Sequence, residues 1–152
     1  ALCSAIAATK SKELIIQRGH KIENIDSFPL VVTDDIESIT QTSKMMKILE
    51  DLNLIQDVER LKNRKRRSGK VVLRGRPTKT GKSVLFVLSN SEITKKACNS
   101  IPGVDVCSVK SLSVLDLAPG SNLIRLTVYS KKAIEDISKI KSRHLELMVS
   151  LS

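Results

Sequence analysis

The chain has 152 residues, of which 41% are hydrophobic, and this is enough to bury the core of one domain. It contains no apolar stretch long enough to span a bilayer and no signal-peptide pattern, so we expect neither a membrane span nor a cleaved leader. Its formal net charge of +10, together with one Tyr, two Phe and no Trp, favours a polyanion bound through its phosphates over single-stranded bases bound by stacking.

The first part of the chain predicts two helices and a strand. Residues 1–18 are rich in Ala, Leu and Ile without Pro, and they predict one helix that ends at Gly19. The apolar run Pro29–Val32 suits a buried strand. A second helix, capped by Thr40 or Thr42, is predicted by apolar residues at i, i+3, i+4 and i+7, namely Met45, Ile48, Leu49 and Leu52.

Residues 60–82 carry the whole positive excess of the chain. They include eleven basic residues and no acidic one, while the other 15 basic residues are balanced by all 16 acidic residues. Like charges at this density repel one another, and a polyanion relieves that repulsion. The segment therefore predicts contact with RNA or DNA through Arg60, Lys62, Arg64, Lys65, Arg66, Arg67, Lys70, Arg74, Arg76, Lys79 and Lys82.

The same segment lacks the apolar periodicity of a helix. A loop or an irregular strand pair is predicted rather than a helix face, because regular structure is interrupted by Gly69, Gly75, Pro77 and Gly81. Few core residues fall here, so the rest of the fold is expected to survive deletion of residues 62–82. The run Arg64–Arg67 also matches a nuclear-localisation signal, but such a short signal does not require the basic residues that continue to Lys82.

A strand–helix–strand unit is predicted after the basic segment. Residues 84–88 are apolar at every position, as in strands buried on both faces of a parallel sheet. Ser89 and Glu92 match a capping box that opens a helix with the inward face Ile93, Ala97 and Ile101. Val104–Val109 supplies the next strand, and this order predicts a right-handed βαβ unit.

The remaining elements complete a layered α/β fold with a mainly parallel sheet. A short helix, a strand and a closing helix are predicted at Leu112–Leu117, Leu123–Tyr129 and Lys131–Ile140. We interpret residues 1–140 as a single α/β domain, residues 60–83 as a basic insertion or loop within it, and residues 141–152 as a C-terminal tail.

The stretch Gly75–Ser83 resembles a phosphate-binding P-loop. A P-loop has four residues between its glycines and connects a buried strand to a helix, whose N-terminus holds the phosphates. Here five residues separate Gly75 from Gly81, and both glycines precede the buried strand. Both departures count against a nucleotide-binding loop. A nucleotide-binding enzyme that uses this degenerate turn is one alternative function, and a DNA-binding regulator is the other.

No other pattern indicates catalysis or a metal. The three cysteines lack CxxC spacing and are interpreted as small buried thiols in a reducing cytosol: Cys3, Cys98 and Cys107. His20 and His144 are too few for a histidine metal site, and each is expected on the surface or at a helix cap. A nucleophile elbow is absent, and strand ends or helix turns account for Asp34, Asp35 and Asp51. We predict no enzymatic activity, no cofactor and no metal.

Short motifs follow one another along the chain in a recognisable order: Ala1–Ala8, Arg18–His20, Pro29–Val32, Arg67–Lys70, Leu73–Arg76, Ile101–Asp105, Leu117–Gly120 and Arg125–Thr127. This order resembles the archaeal and eukaryotic branch of the L-four family of large-subunit ribosomal proteins, from Ala1 to about Ile140. Such a resemblance implies a three-layer α/β/α domain with a central sheet of about four strands.

The resemblance also implies a function. It points to a non-catalytic constituent of the cytoplasmic ribosome that binds and helps fold large-subunit rRNA beside neighbouring large-subunit proteins, with no membrane or small-molecule partner. It implies an extended loop that reaches the nascent-peptide exit tunnel, and we expect that loop upstream of Ala1, which is not a Met. Within the basic segment, we expect RNA contacts foremost from Arg64, Arg66, Arg67, Lys70, Arg74 and Arg76.

Overall fold

The computed structural model describes residues 1–22, 25, 27–62, 65–79 and 81–139. The helices in these residues are Leu2–Ala8 (α1), Lys12–Gln17 (α2), Thr42–Asp51 (α3), Ile55–Arg60 (α4), Lys70–Leu73 (α5), Glu92–Cys98 (α6), Val114–Leu117 (α7) and Lys131–Lys139 (α8). The strands are Leu30–Val32 (β1), Lys65–Arg66 (β2), Thr78–Lys79 (β3), Leu85–Leu88 (β4), Asp105–Ser108 (β5) and Thr127–Ser130 (β6). Short 3-10 turns lie at Asp34–Ser38, Val109–Ser111 and Pro119–Ser121.

The central sheet has the strand order β1-β6-β4-β5, and each neighbouring pair is parallel. β4 and β5 are adjacent and are joined through α6, so the predicted strand–helix–strand unit is confirmed. The predicted mainly parallel sheet of about four strands is confirmed as well. β6 lies between β1 and β4, and this position brings the last strand of the sequence into the centre of the sheet.

β4 separates two hydrophobic cores. Phe86 and Leu88 face a core shared with α2, α3, α4 and α6, whereas Leu85 and Val87 face a core shared with α1, α7 and α8. All four side chains of β4 are buried, which explains why its sequence is apolar at every position instead of alternating. Helices therefore cover both faces of the sheet, and the α/β/α architecture is confirmed.

The predicted single helix over residues 1–18 is wrong, because two helices lie there. The hydroxyl of Thr9 donates to the carbonyl of Ile6 at 2.7 Å as α1 ends, and Ser11 has extended backbone before α2 begins. Ala5 of α1 belongs to one core and Ile15 of α2 to the other. A continuous helix would not place both residues on opposite faces of the sheet. Gly19, with a φ of 93°, ends the second helix as expected.

The start of α6 also differs from the prediction. Ser91 occupies its N-cap position, and the Ser89 hydroxyl instead donates to Asp136 at 2.7 Å, so the predicted capping box is absent. The buried face of α6 is Thr94, Ala97 and Cys98, while Ile93 of the predicted inward face is 44% exposed. At α3 the N-cap residue is Gln41 rather than Thr40 or Thr42. β6 begins at Thr127, later than the predicted strand.

The cysteines fit the prediction only in part. Cys98 is buried and Cys107 is half-buried, but Cys3 is exposed on α1. Burial raises the pKa of both the Cys98 and the Cys107 thiol to about 12, which keeps them protonated and unreactive at neutral pH. The described part of the chain contains no helix long and apolar enough to cross a membrane and no cluster of three or more metal-ligating side chains.

Candidate nucleic-acid interface

Residues 65–79 form an antiparallel strand pair, which we call the basic hairpin. β2 pairs with β3, and the backbone N–H of Arg67 extends the ladder by donating to the carbonyl of Pro77 at 2.8 Å. The short helix α5 closes the tip between Gly69 and Gly75, whose φ angles are 75° and 73°. Of the two predicted alternatives, a loop or an irregular strand pair, the strand pair is present, while the helical turn at its tip was not predicted.

The basic side chains that the structure describes in the hairpin lie at the surface without neutralising partners. Within the described residues, none of them makes an ion pair, and all are exposed except Arg67, which is half-buried: Arg66, Arg67, Lys70, Arg74, Arg76 and Lys79. Leu73 at the tip is 87% exposed. Arg64 lies outside the described residues, as does the side chain of Lys65. Residues 65–79 contain seven basic residues and no acidic residue, so their formal charge is +7. The hairpin therefore forms an exposed, positively charged surface.

The three predicted residues at the ends of the basic segment are arranged differently. Each forms an ion pair with a carboxylate of the domain: Arg60 with Asp57 at 3.0 Å, Lys62 with Glu59 at 3.1 Å, and Lys82 with Asp105 at 2.7 Å. The structure therefore divides the predicted site into an unpaired hairpin and a paired base. Both side chains of the Lys62–Glu59 pair are exposed, so this ion pair adds little to the free energy of unfolding.

Asp57 holds the two ends of the basic segment together. Its carboxylate is fully buried and accepts hydrogen bonds from the Arg60 side chain at 3.1 Å, the Ser83 hydroxyl at 2.5 Å and the Lys21 backbone N–H at 3.1 Å. Burial alone raises the pKa of this carboxyl, but the hydrogen bonds and the neighbouring His20 outweigh burial and hold the pKa below its ordinary value of 3.8. The ionised carboxylate thus links α4 to the start of β4.

His20 is a partner in this network, so its expected place on the surface is wrong, although its backbone N–H helps cap α2 by donating to the Ile15 carbonyl at 3.4 Å. Its side chain is 1% exposed, and its Nδ1 lies 2.9 Å from Asp57. The backbone N–H of Leu126 donates to Nε2 at 3.4 Å, so the ring carries its proton on Nδ1 and donates it to Asp57. Because the Ser83 hydroxyl donates to the carboxylate rather than to the histidine, the three groups do not form a nucleophile–base pair.

Arg125 forms the second link beneath the hairpin. Its buried guanidinium donates to the carbonyls of Ser83 at 2.5 Å, Val84 at 2.8 Å and Gly103 at 2.7 Å, and to the Asp105 carboxylate at 2.6 Å. Burial lowers the pKa of Arg125, and the Asp105 carboxylate opposes that shift. One side chain therefore joins the residues that precede β4, β5 and β6.

Close packing completes the base of the hairpin. The side chain of Leu61 lies against Gly81 and Gly103, where a Cβ would meet Leu61 carbons at 2.6 Å and 2.1 Å respectively. Glycine is favoured most at Gly103, which has a φ of 78° and where a Cβ would also meet the Gly81 carbonyl oxygen at 3.0 Å and the Ser83 nitrogen at 3.1 Å. The backbone N–H of Ser83 also donates to the carbonyl of Gly103 at 2.8 Å. These contacts fix where the hairpin leaves the domain, although its own residues are exposed.

The hairpin, Asp57 and Arg125 all lie at the amino edge of the sheet, where the parallel strands begin. Ligands of open α/β sheets bind instead beyond the carboxyl ends of the strands. Here the Glu37 carboxylate occupies that opposite edge, where it accepts hydrogen bonds from the Ser89 N–H at 2.9 Å, the Asn90 N–H at 3.3 Å and the Ser130 hydroxyl at 2.9 Å. The exposed charge is thus on the edge that α/β enzymes do not ordinarily use.

We expect the hairpin to be dispensable for folding. Replacing residues 65–79 with a short Gly-Ser linker should change the free energy of unfolding by less than about 1 kcal/mol, since the described side chains there are outside the core. The replacement is shorter than the deletion of residues 62–82 considered from the sequence, because it retains Gly81 and Lys82, which contact the domain. Urea denaturation followed by circular dichroism measures the effect.

The matched control for the linker variant is Leu61→Ala in the otherwise unchanged chain. Leu61 is 8% exposed and packs at the base of the hairpin, so its truncation should cost about 2–4 kcal/mol. Loss of the cooperative transition in the linker variant would show that the hairpin is part of the folding unit.

The family model for the ribosomal protein L4/L1 family matches residues 1–140. The chain belongs to this family. Large ribosomal subunit protein uL4 from Sulfurisphaera tokodaii is 44% identical over 141 residues, covering 91% of this chain and 53% of that protein. The uL4 protein of Methanococcus aeolicus is 44% identical over 140 residues, covering 91% of this chain and 56% of that protein. The uL4 protein of Methanosphaera stadtmanae is 40% identical over 141 residues, covering 92% of this chain and 54% of that protein. The chain spans about half the length of these curated relatives.

Membership of the L4/L1 family confirms the resemblance found in the sequence.

Two buried polar residues were not predicted from the sequence. Asp57 and Arg125 were assigned no role, although the sequence around each of them indicates a buried or paired charge. Arg125 interrupts an otherwise apolar run, and a charged residue in such a run is buried only when it is paired. Asp57 precedes Arg60 by three residues on α4, the spacing of a helical ion pair. Neither signal identifies the distant partner, which comes from the fold.

Proposed function

We propose that this chain is a non-catalytic structural constituent of the large ribosomal subunit in the cytoplasm, where it binds and helps fold large-subunit rRNA beside neighbouring ribosomal proteins. The observation that carries the proposal is the protruding basic hairpin, whose described cations lack carboxylate partners. Family membership supports the same function, because the matching relatives are named as large-subunit proteins. The proposed RNA-binding residues are Arg60, Lys62, Arg64, Lys65, Arg66, Arg67, Lys70, Arg74, Arg76, Lys79 and Lys82.

The mechanism is electrostatic. Basic side chains neutralise RNA phosphates and release condensed counterions, which lets RNA helices pack more closely than their charge otherwise permits. Arginine guanidinium groups add bidentate contacts to phosphate oxygens that a lysine ammonium group does not make. RNA helices are recognised largely through shape and backbone, so base-specific contacts are not needed for this role.

Two alternatives are less well supported by the geometry. A nucleotide-binding enzyme would need the phosphate loop between a buried strand and a helix, but Gly81 precedes β4 and the Lys82 ammonium group is engaged by Asp105. A DNA-binding regulator would use the same cations, and the preference for one nucleic acid distinguishes it. Neither alternative accounts for membership of a ribosomal protein family.

A competition filter-binding titration tests the proposal. The labelled ligand is a structured fragment of large-subunit rRNA, and the competitors are unlabelled rRNA fragment, duplex DNA of equal length, and ATP. We expect the rRNA fragment to compete at least tenfold better than the DNA, and ATP not to compete. The chain with the 65–79 linker should lose most of its RNA affinity. Equal competition by duplex DNA would favour the regulator, and competition by micromolar ATP would favour the enzyme.

A further inference from the structure

A cleft of about 320 Å³ opens at the base of the basic hairpin. Its polar lining comes from separated parts of the sequence, namely Gln17, Arg18, His20, Arg60, Lys82 and Asn122. Arg60 and Lys82 also mark the two ends of the basic segment, so the cleft lies where that segment leaves and re-enters the domain. Its volume is near the lower limit of small-molecule pockets, about 300 Å³.

Arg18 is the central cation of the cleft. Its guanidinium donates to two neutral acceptors, the carbonyl of Pro119 at 3.0 Å and the carbonyl of Leu123. Within the described residues it forms no ion pair. Burial lowers the pKa of Arg18, and the nearby Arg125 and Arg60 guanidinium groups lower it further. Arg18 and Arg60 both line the cleft, and an anion bound there would relieve the repulsion between their guanidinium groups.

The carboxylates near the cleft do not neutralise it. The cations that line the cleft are Arg18, Arg60 and Lys82, whereas the carboxylates that pair with two of them are Asp57 and Asp105. Arg60 and Lys82 are thus paired, and Arg18 leaves one positive charge at the cleft in excess. Because the site is partly shielded from water, this excess acts on a bound anion more strongly than it would on an open surface.

Hydrogen-bond donors remain available around the same space. The side-chain amides of Gln17 and Asn122 make no hydrogen bond to the described chain, and both residues are exposed at the cleft. Arg60 contacts Asp57 only through its Nε and one terminal nitrogen, and the Lys82 ammonium group donates one hydrogen bond to Asp105. The other N–H groups of both side chains remain available. A phosphate group, whose oxygens accept several hydrogen bonds, matches this set of donors.

We propose that this cleft binds one backbone phosphate of the RNA that the basic hairpin contacts, with Arg18 as its main donor and with Arg60, Lys82 and Asn122 completing the site. The inference rests on the proposed function and extends the RNA-binding surface to α2 and to the segment before β6. A phosphate of a bound RNA strand is favoured over a free phosphate ion because Arg60 and Lys82, the two ends of the basic segment, both line the cleft.

The test uses charge changes at the cleft that remove none of the hydrogen bonds described above. Gln17→Glu and Asn122→Asp each add a carboxylate at the cleft, and Gln41→Glu, on the N-cap of α3 away from the cleft lining, is the matched control. Each variant is titrated against the rRNA fragment by filter binding after its thermal midpoint has been checked. We expect the two cleft variants to weaken binding about tenfold and the control less than twofold.

Arg18→Gln provides an independent readout. Removing one phosphate contact should lower the slope of log affinity against log salt concentration by about one. Inorganic phosphate is then titrated into the unmodified protein while NMR follows the Asn122 side-chain amide and the Arg18 Nε–H. Saturable shifts at both groups, lost in Gln17→Glu, would support a phosphate site.

Three results would overturn the inference in distinguishable ways. If the cleft variants bind RNA like the control while the 65–79 linker variant does not bind, the cleft is not part of the interface and the proposed function stands. If inorganic phosphate shifts the cleft resonances but the cleft variants keep full RNA affinity, the site takes free phosphate instead. If the linker variant and the cleft variants all bind RNA normally, neither surface contacts RNA, and the proposed hairpin site fails together with the cleft.

Discussion

Arg125→Met should lower the free energy of unfolding by about 3–5 kcal/mol, which is a large share of the typical 5–15 kcal/mol of a domain. The side chain of Arg125, which lies just before β6, is 1% exposed and makes four hydrogen bonds to residues that precede or begin β4 and β5. Methionine fills similar volume but donates to none of them, so the buried carbonyl of Ser83 loses its partner. Urea denaturation at neutral pH measures the loss.

Two further variants separate the possible causes. Arg125→Lys keeps the charge but replaces a planar fork with a single ammonium group, and we expect a loss of about 2 kcal/mol. Lys95→Met removes an exposed cation from α6 and should change stability by less than about 0.5 kcal/mol. If Arg125→Met were to cost less than about 1 kcal/mol, Arg125 would not be the link that joins the strands.

The effect of Arg125→Met should also depend on pH. Burial raises the pKa of Asp105, but hydrogen bonds and charges from Lys82 and Arg125 outweigh it and hold that pKa below 3.8. A carboxyl whose pKa is depressed on folding contributes stability above its unfolded pKa, and that contribution is lost as the pH falls through the folded value. The difference between the variant and the unmodified protein should therefore be largest at neutral pH and narrow below about pH 3.8.

Changing four arginines of the hairpin to Ala should weaken RNA binding about a thousandfold without changing stability. The substitutions are Arg66→Ala, Arg67→Ala, Arg74→Ala and Arg76→Ala. Each charge-assisted phosphate contact contributes on the order of 1 kcal/mol, and four contacts correspond to about three powers of ten in affinity. The slope of log affinity against log salt concentration should fall by about three, at about 0.7–0.9 for each phosphate.

A control with the same loss of net charge distinguishes local contact from overall attraction. Changing Lys44, Lys47, Lys95 and Lys96 to Ala also removes four exposed cations, but from α3 and α6. We expect this variant to lose less than tenfold in affinity and to keep the salt slope within one unit. An unchanged salt slope in the four-arginine variant would mean that the hairpin does not contact phosphates.

Much of the fold could be predicted because local patterns report local structure. The buried strand β4 is apolar at every position, the helix α3 repeats its apolar residues every three to four positions, and the basic segment contains glycines that interrupt regular structure. The errors occurred at the boundaries of helices. Residues 1–18 have helical composition throughout, and only their packing against opposite faces of the sheet requires two helices.

The basic segment shows both what the sequence determines and what the tertiary structure decides. The sequence by itself determined that residues 60–82 hold the entire excess charge of the chain, because charge is a property of composition and needs no fold to be counted. Tertiary structure alone decided that its ends are paired with Asp57 and Asp105 while its described middle is left unpaired. It also decided that Arg18, far away in sequence, lies beside Arg60 and Lys82. Contacts of this kind depend on which strands become neighbours, and no local pattern encodes that.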